Sequence, residues 1–147
     1  MSVERVFVDT NVLLYAFDSS AGAKRRRAAD LLARVWRSGN GCLSVQVLQE
    51  FYVNSTRKIA NPLDAETAKS IMAYLGRWRV HEPLVEDVLA AIELQHDARL
   101  TFWDAMILHS AGKLGCGVVY SEDLNPGQVI AGVKVVDPFE QRSEETP

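Results

Sequence analysis

Val6-Phe7-Val8-Asp9-Thr10-Asn11 is the stretch that decides the fold of this chain. Three β-prone apolar residues run directly into an acid and two short polar side chains, the pattern of a buried strand ending at a strand-to-helix corner. Working outward, Thr10 to Phe17 reads as a first helix or helical turn with apolar Val12, Leu13, Leu14, Tyr15 and Phe17. Ala23 to Arg37 sets Ala28, Leu31, Leu32, Val35 and Trp36 on one helical face, and Gly39 and Gly41 end it. Cys42-Leu43-Ser44 is a second short strand.

The alternation continues. Val45 to Ile59 reads as a helix burying Val45, Leu48, Tyr52 and Phe51, and Asp64 as the N-cap of a helix reaching about Trp78 with Ala68, Ile71, Met72 and Leu75 inward. Arg79-Val80-His81 suits an edge strand. Leu84 to Ala98 carries a helical period through Val85, Val88, Leu89 and Ile92, and Thr101 opens a helix that stops near Gly115. Gly117 to Tyr120 and Val133 to Val136 are the last strands. Short apolar strands alternating with longer helices predict an α/β class with a mainly parallel sheet. One domain over residues 1–139 is expected, followed by a polar tail at 140–147 that has little to bury.

Composition narrows the function classes. With 48% apolar and 24% charged residues the chain can build its own core, so a single soluble domain is expected. Cys42 and Cys116 lack any zinc or disulfide spacing and read as buried thiols of a reducing compartment. Glu4, Arg5 and Asp9 interrupt the N-terminal segment before an apolar signal region develops, and no later run is long enough to span a membrane. A cytoplasmic location follows as an expectation. The net charge of -3 does not suggest a phosphate-backbone binder, so such a role has to rest on local features.

The local features are acids. In an open α/β sheet ligands bind beyond the carboxyl ends of the strands, where Asp9 and Asp123 fall. Each also has a structural reading: Asp9 as an N-cap, Asp123 as a turn residue before Asn125-Pro126-Gly127. Asp104 fits a capping box opened by Thr101, and Glu50 lies in a helix where a lone glutamate is usually solvated. As a set they say more. Clustered carboxylates resist joint ionisation unless a cation holds them, and Mg²⁺ or Mn²⁺ takes oxygen ligands while keeping several waters. Such an ion suits phosphodiester hydrolysis.

The ordered motifs Val8-Asp9-Thr10-Asn11, Val47-Leu48-Gln49-Glu50-Phe51-Tyr52, Phe102-Trp103-Asp104-Ala105-Met106-Ile107 and Tyr120-Ser121-Glu122-Asp123-Leu124 resemble the PIN-domain nucleases, and among them the VapC-type toxins of toxin-antitoxin pairs. The resemblance implies a PIN-like α/β/α fold and a Mg²⁺- or Mn²⁺-dependent endoribonuclease, usually dimeric, silenced by a cognate antitoxin across its active site. It makes Asp9, Glu50, Asp104 and Asp123 the catalytic and metal-binding acids, with Asn11 and Ser121 as polar support. Asp9 and Asp104 would be the most direct ligands. Glu122 adjoins Asp123, and the sequence leaves open which of the two faces the cleft.

Other residues have weaker signals. The run Lys24-Arg25-Arg26-Arg27 suits either phosphate contacts, through Arg25, Arg26 and Arg27, or a solvated helix face. Trp103 precedes a site acid and is a candidate for stacking an RNA base, while Trp36 and Trp78 fit core packing. His81, His96 and His109 have no zinc-enzyme spacing and make no evident acid-base pair. No P-loop, dinucleotide or nucleophile-elbow motif occurs. A maturation nuclease without an antitoxin and a non-catalytic binding module are the alternative readings.

Overall fold

Residues 4–140 are described by a computed structural model. The elements run β1 (Val6–Val8), α1 (Thr10–Ala16), α2 (Ala23–Ser38), β2 (Gly41–Ser44), α3 (Val45–Arg57), α4 (Ala65–Leu75), β3 (Arg79–His81), α5 (Val85–Ala98), α6 (Phe102–Lys113), β4 (Val118–Tyr120), β5 (Val129–Ile130) and β6 (Val133–Val136). The strands form one sheet in the order β3-β2-β1-β4-β6-β5. All neighbours pair parallel except β5 with β6. The α/β expectation is met.

The sheet order locates the functional edge. From β1 the chain steps outward through β2 to the β3 edge, then returns to lay β4 on the other side of β1. Right-handed crossovers therefore put α1–α4 on one face and α5–α6 on the other. The reversal between β1 and β4 is a topological switch point, where helices diverge and open a crevice at the strand ends. Phe7, Val8, Leu43, Val119, Val133 and Val135, all fully buried, form the strand part of the core; Val12, Leu13, Val47, Phe51 and Leu108 cover it from the helices.

Local signals explain most boundaries. Asp9, Ser44, Asp64 and Thr101 each accept a hydrogen bond at a helix N-terminus, offsetting orphan amides of the first turn. Gly39 closes α2 at φ 69, a conformation open to glycine. Gly41 is needed for another reason, since a Cβ there would lie 2.6 Å from the Trp78 ring.

Three expectations are corrected. In α3 the buried face is Val47, Phe51 and Ser55, and Tyr52 is exposed, because the helix is rotated so that Gln46 and Glu50 turn toward the strand ends. In α5 the stripe Val85, Val88, Leu89 and Ile92 faces outward, and the helix packs on α6 through Asp87 and Ala91. A small residue allows close approach, and His81 and His109 satisfy the buried Asp87 carboxylate. Strand β5 is the third, an antiparallel hairpin with β6 whose two-residue turn puts Ala131 at φ 53 and Gly132 at φ 79. Ala-Gly is a weak sequence signal for such a turn. The tail expected at 140–147 lies outside the described residues except for Glu140.

Both cysteines are buried free thiols, as expected. Among the described residues, no helix is long and apolar enough to cross a membrane.

Candidate active site

Asp9 stands where β1 ends. Its backbone N–H donates to the Tyr120 carbonyl at 3.0 Å, which extends the β1–β4 ladder by one step and fixes the residue at the switch point. Its Oδ1 accepts from the Thr10 N–H at 2.7 Å and its Oδ2 from the Ser121 hydroxyl at 2.8 Å. Asp9 therefore caps α1 and at the same time lines the cleft at the strand ends. Only 6% of the residue is exposed. Burial pushes its carboxyl up to about 6; the Ser121 and Thr10 hydrogen bonds oppose that, and the Glu50 and Asp123 charges add to it.

The remaining acids come from three other elements and share one cleft with Asp9. The cleft, about 280 Å³, is lined by Asp9, Thr10, Asn11, Leu14, Gln46, Glu50, Asn54, Trp103, Asp104, Ile107 and Asp123. Glu50 reaches it from α3, accepting from Thr10 Oγ1 at 2.7 Å and from Gln46 Nε2 at 3.1 Å. Asp104 enters from the first turn of α6, where its N–H donates to Thr101 Oγ1 at 3.2 Å. Burial raises the Asp104 carboxyl, opposed by Thr101 and assisted by the charges of Asp123 and Glu50. Asp123 hangs from the loop after β4, with Asn11 Nδ2 donating to its Oδ2 at 3.0 Å.

Asn11 and Ser121 form the bracket between these groups. The Asn11 amide also approaches Ser121 Oγ and Asp9 Oδ2, both at 3.4 Å, and its Oδ1 accepts from the Glu122 N–H at 3.1 Å. The geometry resolves the ambiguity between adjacent acids. Asp123 lines the cleft, whereas Glu122 turns away to Tyr15 and Lys24.

Two residues beyond the sequence candidates belong to this wall. Thr10 holds Glu50, and Gln46 donates to Glu50 and, at 3.4 Å, to the Trp103 carbonyl. Because both acceptors require an amide N–H₂, Gln46 Oε1 is the atom left over, buried and without a hydrogen-bond partner. The signal available in the sequence was the i, i+4 spacing of Gln46 and Glu50. The basic run divides: Arg25 and Arg26 are exposed, while Arg27 donates to the Phe139 carbonyl at 3.0 Å and Lys24 pairs with Glu122. Trp103 is 61% exposed at the cleft rim, braced edge-on by Phe102 at 5.0 Å between ring centroids.

Compared with known protein families, residues 6–129 match the PIN domain. That span contains every element from β1 to the start of β5 and all the cleft acids. The chain belongs to the PIN-domain family. Solved structures agree with this PIN fold. The Mycobacterium tuberculosis toxin VapC20, described as cleaving the sarcin-ricin loop, aligns with TM-score 0.61 and 23% identity over 80% of this chain and 89% of its own. A toxin-antitoxin complex from Klebsiella pneumoniae gives TM-score 0.68 and 21% identity, covering 92% of this chain and 99% of that one. DNA-bound VapBC from Salmonella typhimurium gives 0.62 and 19%, with the same coverages of 92% and 99%. No curated protein matches in sequence.

The donor set of this PIN domain suits a hard, hydrated cation. Among the described residues no three His, Cys, Asp or Glu side chains already converge on a point where an ion would sit. A Mg²⁺-like ion does not need that, since it keeps several waters and is held by one or two carboxylates. The oxygens of Asp9, Glu50, Asp104 and Asp123 line the cleft and would be available for such contacts, and the orphaned Gln46 Oε1 is an acceptor suited to a coordinated water. A buried carboxyl pushed up to about 6 by its surroundings is also one whose ionised form a cation would stabilise. The residues present fit the group.

Proposed function

We propose that this PIN domain is a metal-dependent endoribonuclease and the toxin member of a type II toxin-antitoxin pair. The observation that carries the reading is the gathering of Asp9, Glu50, Asp104 and Asp123 around one cleft at the β1/β4 switch point. Fold similarity to VapC20 and to toxin-antitoxin complexes supports the biological role. Asp9 and Asp104 are the proposed direct ligands of Mg²⁺ or Mn²⁺, with Glu50 and Asp123 acting through water. When bound, the ion lowers the pKa of an attacking water and offsets charge on the phosphate.

This chain's residues do the rest. Ser121 and Thr10 orient the Asp9 carboxylate, Thr10 and Gln46 orient Glu50, and Asn11 holds Asp123. Glu50, held by two donors, would take a proton from the attacking water. Trp103 offers an exposed ring to an unpaired base, and Arg25 and Arg26 offer charge to the RNA backbone despite the acidic total.

Cleavage should stop in excess EDTA and in folded Asp9→Asn and Asp104→Asn proteins. Products should carry 5′-phosphate and 3′-hydroxyl ends. Undiminished cleavage in EDTA, or 2′,3′-cyclic ends, would overturn the mechanism.

For the partner, the cleft adjoins a groove lined by Leu14, Tyr15, Asp18, Asn54, Lys58 and Ile59. An antitoxin segment would place Arg or Lys among the acids and apolar residues in this groove, displacing the cation by charge pairing. Unchanged affinity after the antitoxin's site-facing basic residues are made Ala would refute that. A second copy of the chain is the proposed occupant of the outward α5 stripe, where Val85 is 76% and Leu89 58% exposed.

A further inference from the structure

Adjacent acids in the loop after β4 are sent in opposite directions. Asp123 is exposed at the cleft, and the side-chain contact holding its carboxylate comes from Asn11. The Asp123 backbone N–H donates to Ser121 Oγ at 3.1 Å within the same loop, which runs on into the turn Asn125-Pro126-Gly127. Glu122 points back toward the helices. The Tyr15 hydroxyl donates to Glu122 Oε1 at 2.6 Å, and the Lys24 ammonium pairs with Oε2. Lys24 also lies over the rings of Tyr15 and Phe139, 4.9 and 5.7 Å from their centroids, and those rings meet edge-on at 5.1 Å.

The arrangement ties three elements together. Tyr15 belongs to α1 and Lys24 to the first turn of α2, so Glu122 anchors the loop to both helices. The Glu122 side chain is 23% exposed and that of Lys24 43%, so the anchor rests on the ion pair together with a second, neutral donor rather than on the ion pair alone. Asn11 links anchor and site, accepting from the Glu122 N–H while donating to Asp123.

We propose that Glu122, clamped by Lys24 and Tyr15, is a positioning residue that orients the loop so that Asp123 stays in the metal-binding cleft. This rests on the metal-dependent reading above. It gives Lys24 a structural task within a basic run that otherwise suits phosphate contacts or a solvated helix face, and it gives the second acid of the pair a role outside the ligand set.

The test compares wild type with Lys24→Ala, Glu122→Gln and Tyr15→Phe, and with the charge-swapped Lys24→Glu/Glu122→Lys protein. Amide exchange at Asp123, Mn²⁺ affinity by calorimetry, and thermal unfolding are the readouts. Exchange at Asp123 should quicken about 10-fold and Mn²⁺ affinity fall about 10-fold in Lys24→Ala and Glu122→Gln, with partial recovery of both in the swap. Tyr15→Phe removes one hydroxyl only, so it should keep the fold and show a smaller effect of the same sign. Exchange and affinity within about twofold of wild type in all single variants would overturn the proposal, as would losses that the swap does not reverse. Faster exchange in variants of a wild type that binds no Mn²⁺ would instead overturn the metal reading and leave the anchor standing.

Discussion

The hydroxyl of Ser121 donates to Asp9 Oδ2 at 2.8 Å and so joins the residues that follow β4 and β1. The contact steadies the ionised form of a carboxyl that burial would otherwise keep protonated. Ser121 is itself fully buried, so no water can take its place without rearrangement. Removing the hydroxyl in Ser121→Ala should raise the Asp9 pKa above its value of about 6. Mn²⁺ affinity at pH 6.5 should then fall about 10-fold, with much of the deficit recovered at pH 8 as Asp9 ionises. Calorimetry at the two pH values measures this, and a deficit independent of pH would refute it.

Asp9 itself should cost the metal-free protein stability. Its carboxyl goes from 3.8 to about 6 on folding, so the folded chain binds this proton more tightly than the unfolded chain does. Ionised Asp9 therefore destabilises the fold above about pH 6, and the cost fades as pH falls toward 4. Metal-free Asp9→Asn is expected to be more stable than wild type at pH 8 by about 1–3 kcal/mol. Denaturant melts across this range should show that advantage shrinking toward pH 4; a constant difference would count against burial as its cause.

Asp87 works in the opposite sense. The Leu84 N–H and His109 hold its carboxyl down at about 2, against 3.8 unfolded, so its support is present above pH 4 and is lost as pH falls toward 2. His81, which shares a hydrogen bond with Ser110 at 2.8 Å, is also lowered, mainly by burial. A proton taken up by the unfolded chain below pH 6.5 is therefore refused by the folded one, and stability declines there too. Asp87→Asn should destabilise the protein by about 1–3 kcal/mol at pH 7, through buried donors left with a poorer acceptor. Its stability should also depend less on pH between 4 and 2 than that of wild type, which acid unfolding curves would test.

The outward stripe of α5 leads to a prediction about assembly. Leu89 is 58% exposed, so replacing it in Leu89→Glu should leave the monomer fold within about 0.5 kcal/mol of wild type. The same change should split the proposed dimer by putting a charge into its apolar interface. Sedimentation velocity reads the outcome. A wild type that is monomeric at high concentration, or a variant that still dimerises, would refute this use of the stripe.

Much of the architecture was legible because it rests on local physics. The run Val6-Phe7-Val8-Asp9 announces strand, corner and cap together, and Ser44, Asp64 and Thr101 mark helix starts through hydroxyls or carboxylates that cap nearby amides. The α3 and α5 faces were misread because periodicity locates a stripe but not what it meets. In α5 the apolar stripe lies outside and a satisfied Asp87 inside, a preference set by partners far away in the chain, His81 and His109. The β5 hairpin escaped because its turn uses Ala131 in a left-handed conformation that its residue type does not advertise.

The sequence alone determined the α/β class, the order of the acids and their types, because strand, cap and ligand chemistry are properties of residues and their near neighbours. Only the tertiary structure decided that Asp9, Glu50, Asp104 and Asp123 face one cleft, that Glu122 does not, and that Gln46 and Thr10 orient the set. Those relations join residues up to 112 positions apart, as Asn11 and Asp123 are. Their geometry comes from β4 being laid beside β1, a pairing that depends on sheet order and crossover handedness rather than on any local run of side chains.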